Sequence, residues 1–251
     1  MRVLLTLLLA LASFHSFAQA AQVVQPDYAR EQRWAAEITP AILVGDPVQL
    51  ALPTGRKFLG IYTPNSKAQA GVVVVHGLGV HPDWGLINPL RSQLAEQGYA
   101  TLSVQMPVLA AELRGDQYPP LFPEATARIA VAVKFLQDKG HKKIVIVSFS
   151  FGSRMTNELL NQPDAPAIIA WVSIGIVGEY THPATLKAPV LDLYGEKDFP
   201  EVLELAAKRA AVIQKIRGSA QIRVAGADHY FNNLENELVR NVKLFLDRAT
   251  R

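Results

Sequence analysis

Three side chains could together break an acyl bond: Ser150, Asp198 and His229, each just past an apolar, strand-like run. Ser150 lies in Lys142–Arg154, KKIVIVSFSFGSR, where a β-branched run ends in Ser148-Phe149-Ser150-Phe151-Gly152 and flows into a helical pattern. A strand that turns this sharply into a helix brings backbone against backbone. The residues two before and two after the turn must then be small, as in G-x-S-x-G. Here they are Ser148 and Gly152, one substitution from the strict pattern. Taken alone, the motif fits an ordinary helix-capping serine equally well. Asp198 closes Gly195-Glu196-Lys197-Asp198, and His229 stands in Gly226-Ala227-Asp228-His229-Tyr230-Phe231. A serine hydroxyl is a weak nucleophile at neutral pH. It needs a base within hydrogen-bond reach and an acid to fix that base, and this set supplies one of each.

Other residues compete for these roles. Asp192 falls inside a strand, Asp228 is too close to His229 in sequence to orient its ring, and Glu196 is the stronger rival to Asp198. Ser153 reads as a first-turn helix residue, His141 and His182 as solvated loop residues, and His76 as a structural hydrogen-bonding group. His76-Gly77-Leu78-Gly79 ends another apolar run, Gly71–Val75. A loop so placed can offer the Leu78 N–H to an anion, and the Phe151 N–H at a helix start can offer a second. The same glycines would serve a plain strand-to-helix turn.

The elements that must carry these residues alternate along the chain. Tyr28–Ile38 is an amphipathic helix, with Trp34 and Ile38 as its packing residues and Pro40 as its stop. Val48–Leu52 and Lys57–Tyr62 flank Pro53-Thr54-Gly55 as an antiparallel hairpin. Strands follow at Gly71–Val75, Tyr99–Val104, the run before Ser150, Ala167–Val177, Pro189–Tyr194 and Gln221–Val224. Helices fall between them at Pro89–Glu96, Glu124–Asp138, Phe151–Leu160 and Pro200–Ile216, and a last one carries Leu234, Leu238, Val242 and Phe245. Loops after parallel strands share one edge of the sheet, which is where the three candidates would meet. Two segments offer binding surface. His81-Pro82-Asp83-Trp84 either borders the crevice or caps the next helix. The long stretch Met106–Pro123, with Tyr118 and Phe122, is either a lid or a cover for the sheet edge. Trp84, Phe149, Tyr118 and Phe122 are the candidate substrate contacts.

Composition sets outer limits. With 49% hydrophobic and 19% charged residues the chain is globular, and a charge of +3 spread without a basic run gives no reason to expect nucleic acid. Residues 1–20 open with Arg2, continue through VLLTLLLALASF and end at Ala18-Gln19-Ala20, the pattern of a cleaved secretory signal. The remainder, 21–251, is expected to be one domain. No later run is long enough to span a bilayer. There is no cysteine, hence no disulfide. No H-E-x-x-H or other ligand spacing suggests a metal, and no organic cofactor is expected.

The order Ser, Asp, His over successive strand ends resembles that of the α/β-hydrolase superfamily, and the resemblance extends over essentially the whole mature length. The stretch HGLGVHPDW…INPL…TLSVQMPV…LFPEA…IVSFSFGS further resembles a family of exported proteobacterial hydrolase-like proteins of unknown function. The resemblance implies a mostly parallel eight-stranded sheet with an N-terminal antiparallel hairpin, helices on both faces, and a periplasmic location. The departure from it is Ser148 in place of glycine. The expected activity is hydrolysis of carboxylic esters or related small acyl substrates through an acyl-enzyme. The same triad would also suit a peptidase or acyltransferase. A non-catalytic envelope-binding protein is the third reading, and it leaves the Ser, Asp and His set without a use.

Overall fold

The computed structural model describes residues 24–251; the expected signal over residues 1–20 lies outside them. Its frame is an eight-stranded sheet built from β1 (Asp46–Ala51), β2 (Lys57–Thr63), β3 (Gly71–Val75), β4 (Ala100–Val104), β5 (Ile144–Phe149), β6 (Ala170–Ile174), β7 (Val190–Lys197) and β8 (Ala220–Asp228). The spatial order is β1-β2-β4-β3-β5-β6-β7-β8. The β1–β2 hairpin is antiparallel and joins β4 antiparallel, while β4 through β8 are parallel. Parallel strands need crossover helices, and these close both faces, so the central strands are apolar on both sides.

Alternate residues of each strand feed two cores. Val73, Val75, Ile144, Ile146 and Trp171 face α3 (Phe122–Asp138) and α4 (Phe151–Leu160), meeting Ile129, Val133, Leu136, Met155 and Leu159. Val72, Val74, Val145, Val147, Val172 and Ile174 face α2 (Ile87–Glu96) and α7 (Glu235–Ala249), meeting Leu90, Leu94, Leu238, Val242 and Phe245.

Three expectations need correction, and one open alternative is decided. In α1 (Tyr28–Ile38) the buried residue is Glu31, not Trp34 or Ile38. Arg128 of α3, fully buried, donates to Glu31 at 2.9 Å and to Glu124 at 2.6 Å. An ion pair thus anchors this helix, because α3 meets it with a guanidinium that has to be matched. The helix expected over Pro200–Ile216 breaks at Leu205 into α5 (Pro200–Glu204) and α6 (Ala206–Ile213). The last strand runs on through Gly226, at φ +73°, to Asp228. Finally, of the two readings of the Met106–Pro123 stretch the burial of its two ends favours the cover over the lid: Met106, Val108, Leu109, Tyr118 and Leu121 are all buried in the core. Its apolar residues lack periodicity because they fill gaps between elements. Among the described residues no helix is long and apolar enough to cross a membrane.

Candidate active site

β5 ends at Phe149 and α4 begins at Phe151, so the whole turn falls on Ser150. Its backbone adopts φ +54°, ψ −122°, a region L-residues rarely occupy and the strained geometry of a nucleophile elbow. Gly152 allows it. A Cβ there would lie 2.3 Å from the His76 carbonyl oxygen and 2.8 Å from that of Val75, so α4 rests directly on the end of β3.

Ser148, the departure from the glycine pattern, has a use of its own. Its Oγ accepts the Trp171 indole N–H at 2.7 Å and lies 3.1 Å from Ser153 Oγ, while Ser153 Oγ donates back to the Ser148 carbonyl at 2.9 Å. These contacts pin β5, β6 and the first turn of α4 together. Ser148→Ala would leave the fully buried indole N–H without that partner, at an expected cost of about 1–3 kcal/mol. Turnover should persist in this variant. Chemical unfolding beside kinetics checks both, and an unchanged unfolding midpoint would remove this role from Ser148.

The candidate base and acid arrive from neighbouring strand ends. His229 follows β8 and Asp198 follows β7; both are buried, as is Ser150. His229 Nε2 is 3.0 Å from Ser150 Oγ, and Nδ1 is 2.5 Å from Asp198 Oδ1. With the carboxylate accepting at Nδ1, Nε2 is left to accept the serine proton. Asp198 is itself held: Oδ1 accepts the Phe199 N–H at 2.8 Å and Oδ2 the Gly195 N–H at 3.2 Å. Gly175, at the end of β6 with φ +53°, makes the room. A Cβ there would be 3.1 Å from His229 Cε1 and 3.4 Å from Asp198 Oδ2.

The rivals are occupied elsewhere. Asp192 is fully buried against Arg209 at 3.0 Å. Glu196 is exposed and accepts the Gly226 N–H, and Asp228 accepts from the Tyr230 and Asn232 N–H groups, folding the loop that presents His229. His141 lies 3.5 Å from the Tyr62 hydroxyl, and His182 takes a left-handed conformation ahead of a short 3-10 turn.

His76 sets the anion loop. Its Nδ1 donates to the Gly77 carbonyl at 2.8 Å, while Nε2 accepts the Met106 N–H at 2.9 Å. Because a trans peptide points C=O and N–H in opposite directions, fixing the Gly77 carbonyl on His76 aims the Leu78 N–H away from it. A Cβ on Gly77 would stand 3.1 Å from Ser150 Cβ, so this peptide adjoins Ser150. The Phe151 N–H, in the first turn of α4, needs no intrahelical partner. From outside, Arg30 of α1 donates to the Leu109 carbonyl at 2.7 Å and the Gly79 carbonyl at 3.3 Å, tying α1 to the loop.

This arrangement needs His76 neutral, and burial lowers its pKa from 6.5 to about 3. The folded value lies below the unfolded one, so the unfolded chain binds the proton more readily. The stability this contributes is complete above about pH 6.5 and is lost as pH falls toward 3. Between those limits the slope of unfolding free energy against pH should be shallower in His76→Gln than in the parent, by up to about 1.4 kcal/mol per pH unit. Urea titrations across that range measure it, and identical slopes would contradict a neutral, buried His76.

A cavity of about 290 Å³ opens above Ser150, walled by Leu78, Val80, Trp84, Phe149, Phe151, Val177, Phe199 and Tyr230, with Glu201 and His229. Phe199 stacks on the imidazole at 4.1 Å between ring centroids and Tyr230 meets it edge-on at 5.2 Å. Of the residues the sequence singled out, Trp84, Phe149, Leu78 and Phe151 line this cavity; Tyr118 and Phe122 do not. Tyr118 is buried, with its hydroxyl accepting the Leu109 N–H at 3.1 Å and its ring edge-on to Phe151. Phe122 opens α3 and packs on Arg154. Tyr118 supports the site from within the core and half-buried Phe122 packs against that core, because the segment carrying them folds inward. Phe199, Val177, Tyr230, Val80, Glu201 and Gly175 were missed. The aromatic neighbours of Asp198 and His229 were the available signal; nothing in the apolar run around Gly175 marked it.

Comparison with solved structures agrees with this topology. The chain superposes on an α/β serine hydrolase homologue from Coxiella burnetii with a TM-score of 0.63 at 14% identity, covering 82% of this chain and 98% of that one. The chain has the α/β-hydrolase fold. A dienelactone hydrolase from Anabaena variabilis matches at TM-score 0.63 and 19% identity, over 80% of this chain and 96% of that one. An esterase from Pyrococcus furiosus matches at 0.63 and 16%, over 81% and 90%. Residues 2–120 match the family model described as "Protein of unknown function (DUF3530)". That match includes the His76 loop and Trp84 and ends before Ser150, Asp198 and His229. No curated protein matches the chain. In the α/β-hydrolase fold seen here, the three candidates stand at the carboxyl ends of β5, β7 and β8, on one edge of the sheet.

Proposed function

We propose that this protein is an exported serine hydrolase of carboxylic esters or related small acyl compounds, working through an acyl-enzyme. The observation that carries this reading is the continuous relay from Ser150 Oγ to His229 at 3.0 Å and on to Asp198 at 2.5 Å, beginning from a serine at φ +54°. His229 takes the Ser150 proton as Oγ attacks the acyl carbon and gives it to the departing alcohol. Asp198 stabilises the imidazolium formed in between. The N–H groups of Leu78 and Phe151 meet the negative charge on the acyl oxygen, each worth about 3 kcal/mol in the transition state. Water, activated by the same imidazole, then releases the acid and frees the serine.

The similar solved structures include a protein named as an esterase and another as a dienelactone hydrolase, which favours acyl chemistry over mere binding. Export rests on the pattern of residues 1–20, and the periplasm on the resemblance noted above. The test is turnover of short-chain acyl esters by the chain beginning at Ala21, beside Ser150→Ala. Activity that survives in that variant overturns the reading. Release of acyl product to an added alcohol in preference to water would move it from hydrolysis to transfer.

A further inference from the structure

The cavity above Ser150 is one-sided in charge. Five of its walls are aromatic rings, from Trp84, Phe149, Phe151, Phe199 and Tyr230. Among the described residues that line it, Glu201 is the one that carries a charge at neutral pH apart from His229 when protonated, and none is a lysine or arginine. Glu201 stands exposed in the first turn of α5, two residues past the ring that stacks on His229, and joins no ion pair among the described residues. Arg154 touches this wall, 4.8 Å over the Phe151 ring and 5.6 Å over that of Phe122, without lining the cavity.

Ring faces carry negative potential and attract cations, and a carboxylate at the rim adds to that field. Away from the Leu78 and Phe151 N–H groups, which are taken up by the acyl oxygen, an anionic group would meet the same field as repulsion with no cationic side chain lining the cavity to offset its lost hydration. A volume of about 290 Å³ is at the small end for a ligand site, so whatever enters is compact. We propose that Glu201 and the surrounding rings select acyl substrates bearing a compact cationic group, of the ammonium or guanidinium kind, and reject anionic ones. This inference rests on the reading of Ser150 as the nucleophile.

The test uses acetates of three alcohols of matched size, ending in a tert-butyl, a trimethylammonium or a carboxylate group. A second set carries the same termini on the acyl side of a methyl ester. In at least one set kcat/KM should rank cationic, neutral, anionic, with about tenfold or more between the extremes at low salt. The spread should narrow about threefold or more in Glu201→Gln and in about 1 M salt, since the rim is solvated and screened. The neutral ester is the internal reference, so a general loss of fold or turnover leaves the ratio unmoved. If both neutral esters are turned over and neither set shows this ranking, or Glu201→Gln leaves the ratio intact, charge selection is overturned and the hydrolase reading stands. If no ester in either set is turned over and a fluorophosphonate does not react with Ser150, the hydrolase reading fails and this inference fails with it.

Discussion

A fluorophosphonate probe is expected to label Ser150 in the folded wild-type protein and to leave Ser150→Ala and His229→Ala unlabelled. The probe mimics the attacked acyl group, so it reports an activated serine before any substrate is known. Activation here follows from geometry. The Asp198 carboxylate, 2.5 Å from Nδ1, holds the imidazole in the tautomer whose free Nε2 lies 3.0 Å from the hydroxyl. Phe199 on one side and the Phe149 ring, 4.9 Å away, limit how far the imidazole can swing. On the proposed mechanism, removing either Ser150 or His229 breaks a unit that acts together, and the loss in kcat for an ester substrate should be about 10⁴- to 10⁶-fold. Ester kinetics on the same proteins, with circular dichroism to establish that they are folded, measures it. A folded wild type that takes up no label would contradict the activated serine, since a cavity of about 290 Å³ stands over Ser150 among the described residues.

Gly152→Ala should cost both stability and activity. The added Cβ would sit 2.3 Å and 2.8 Å from two backbone carbonyl oxygens, His76 and Val75, far inside contact distance. Neither obstacle is a side chain that can rotate away. α4 would have to lift from the end of β3, and it carries the Phe151 N–H with it, while His76 carries the loop that offers the Leu78 N–H. The overpacking cost is expected to be about 3 kcal/mol. Misplacing the N–H groups should add a fall in kcat of about 10²-fold or more, the usual effect of losing one such donor. Urea unfolding and steady-state kinetics separate the two effects. Wild-type stability in this variant would mean that the helix and strand do not approach as closely as described.

The sequence by itself determined the strands, because buried parallel strands require unbroken apolar runs such as Gly71–Val75 and Ile144–Phe149, and these are legible one residue at a time. It also placed Ser150, Asp198 and His229 at strand ends, since loops after parallel strands share one edge of the sheet. Its errors cluster where meaning depends on a neighbour distant in the chain. Glu31 reads as a surface residue of an amphipathic helix until Arg128, almost a hundred positions later, is seen beneath it. Tyr118 and Phe122 read as binding surface because an aromatic, proline-rich loop looks the same whether it covers a site or fills a core. Ser148 looks like a defect in a motif, and only the Trp171 indole from the adjacent strand turns it into a hydrogen-bond acceptor. The left-handed backbone of Ser150, the space that Gly175 leaves for the imidazole and the aromatic walls with Glu201 at their rim were decided by tertiary structure alone. Those are close approaches between segments tens of residues apart, and local spacing holds no record of a distance that exists only once the sheet has closed.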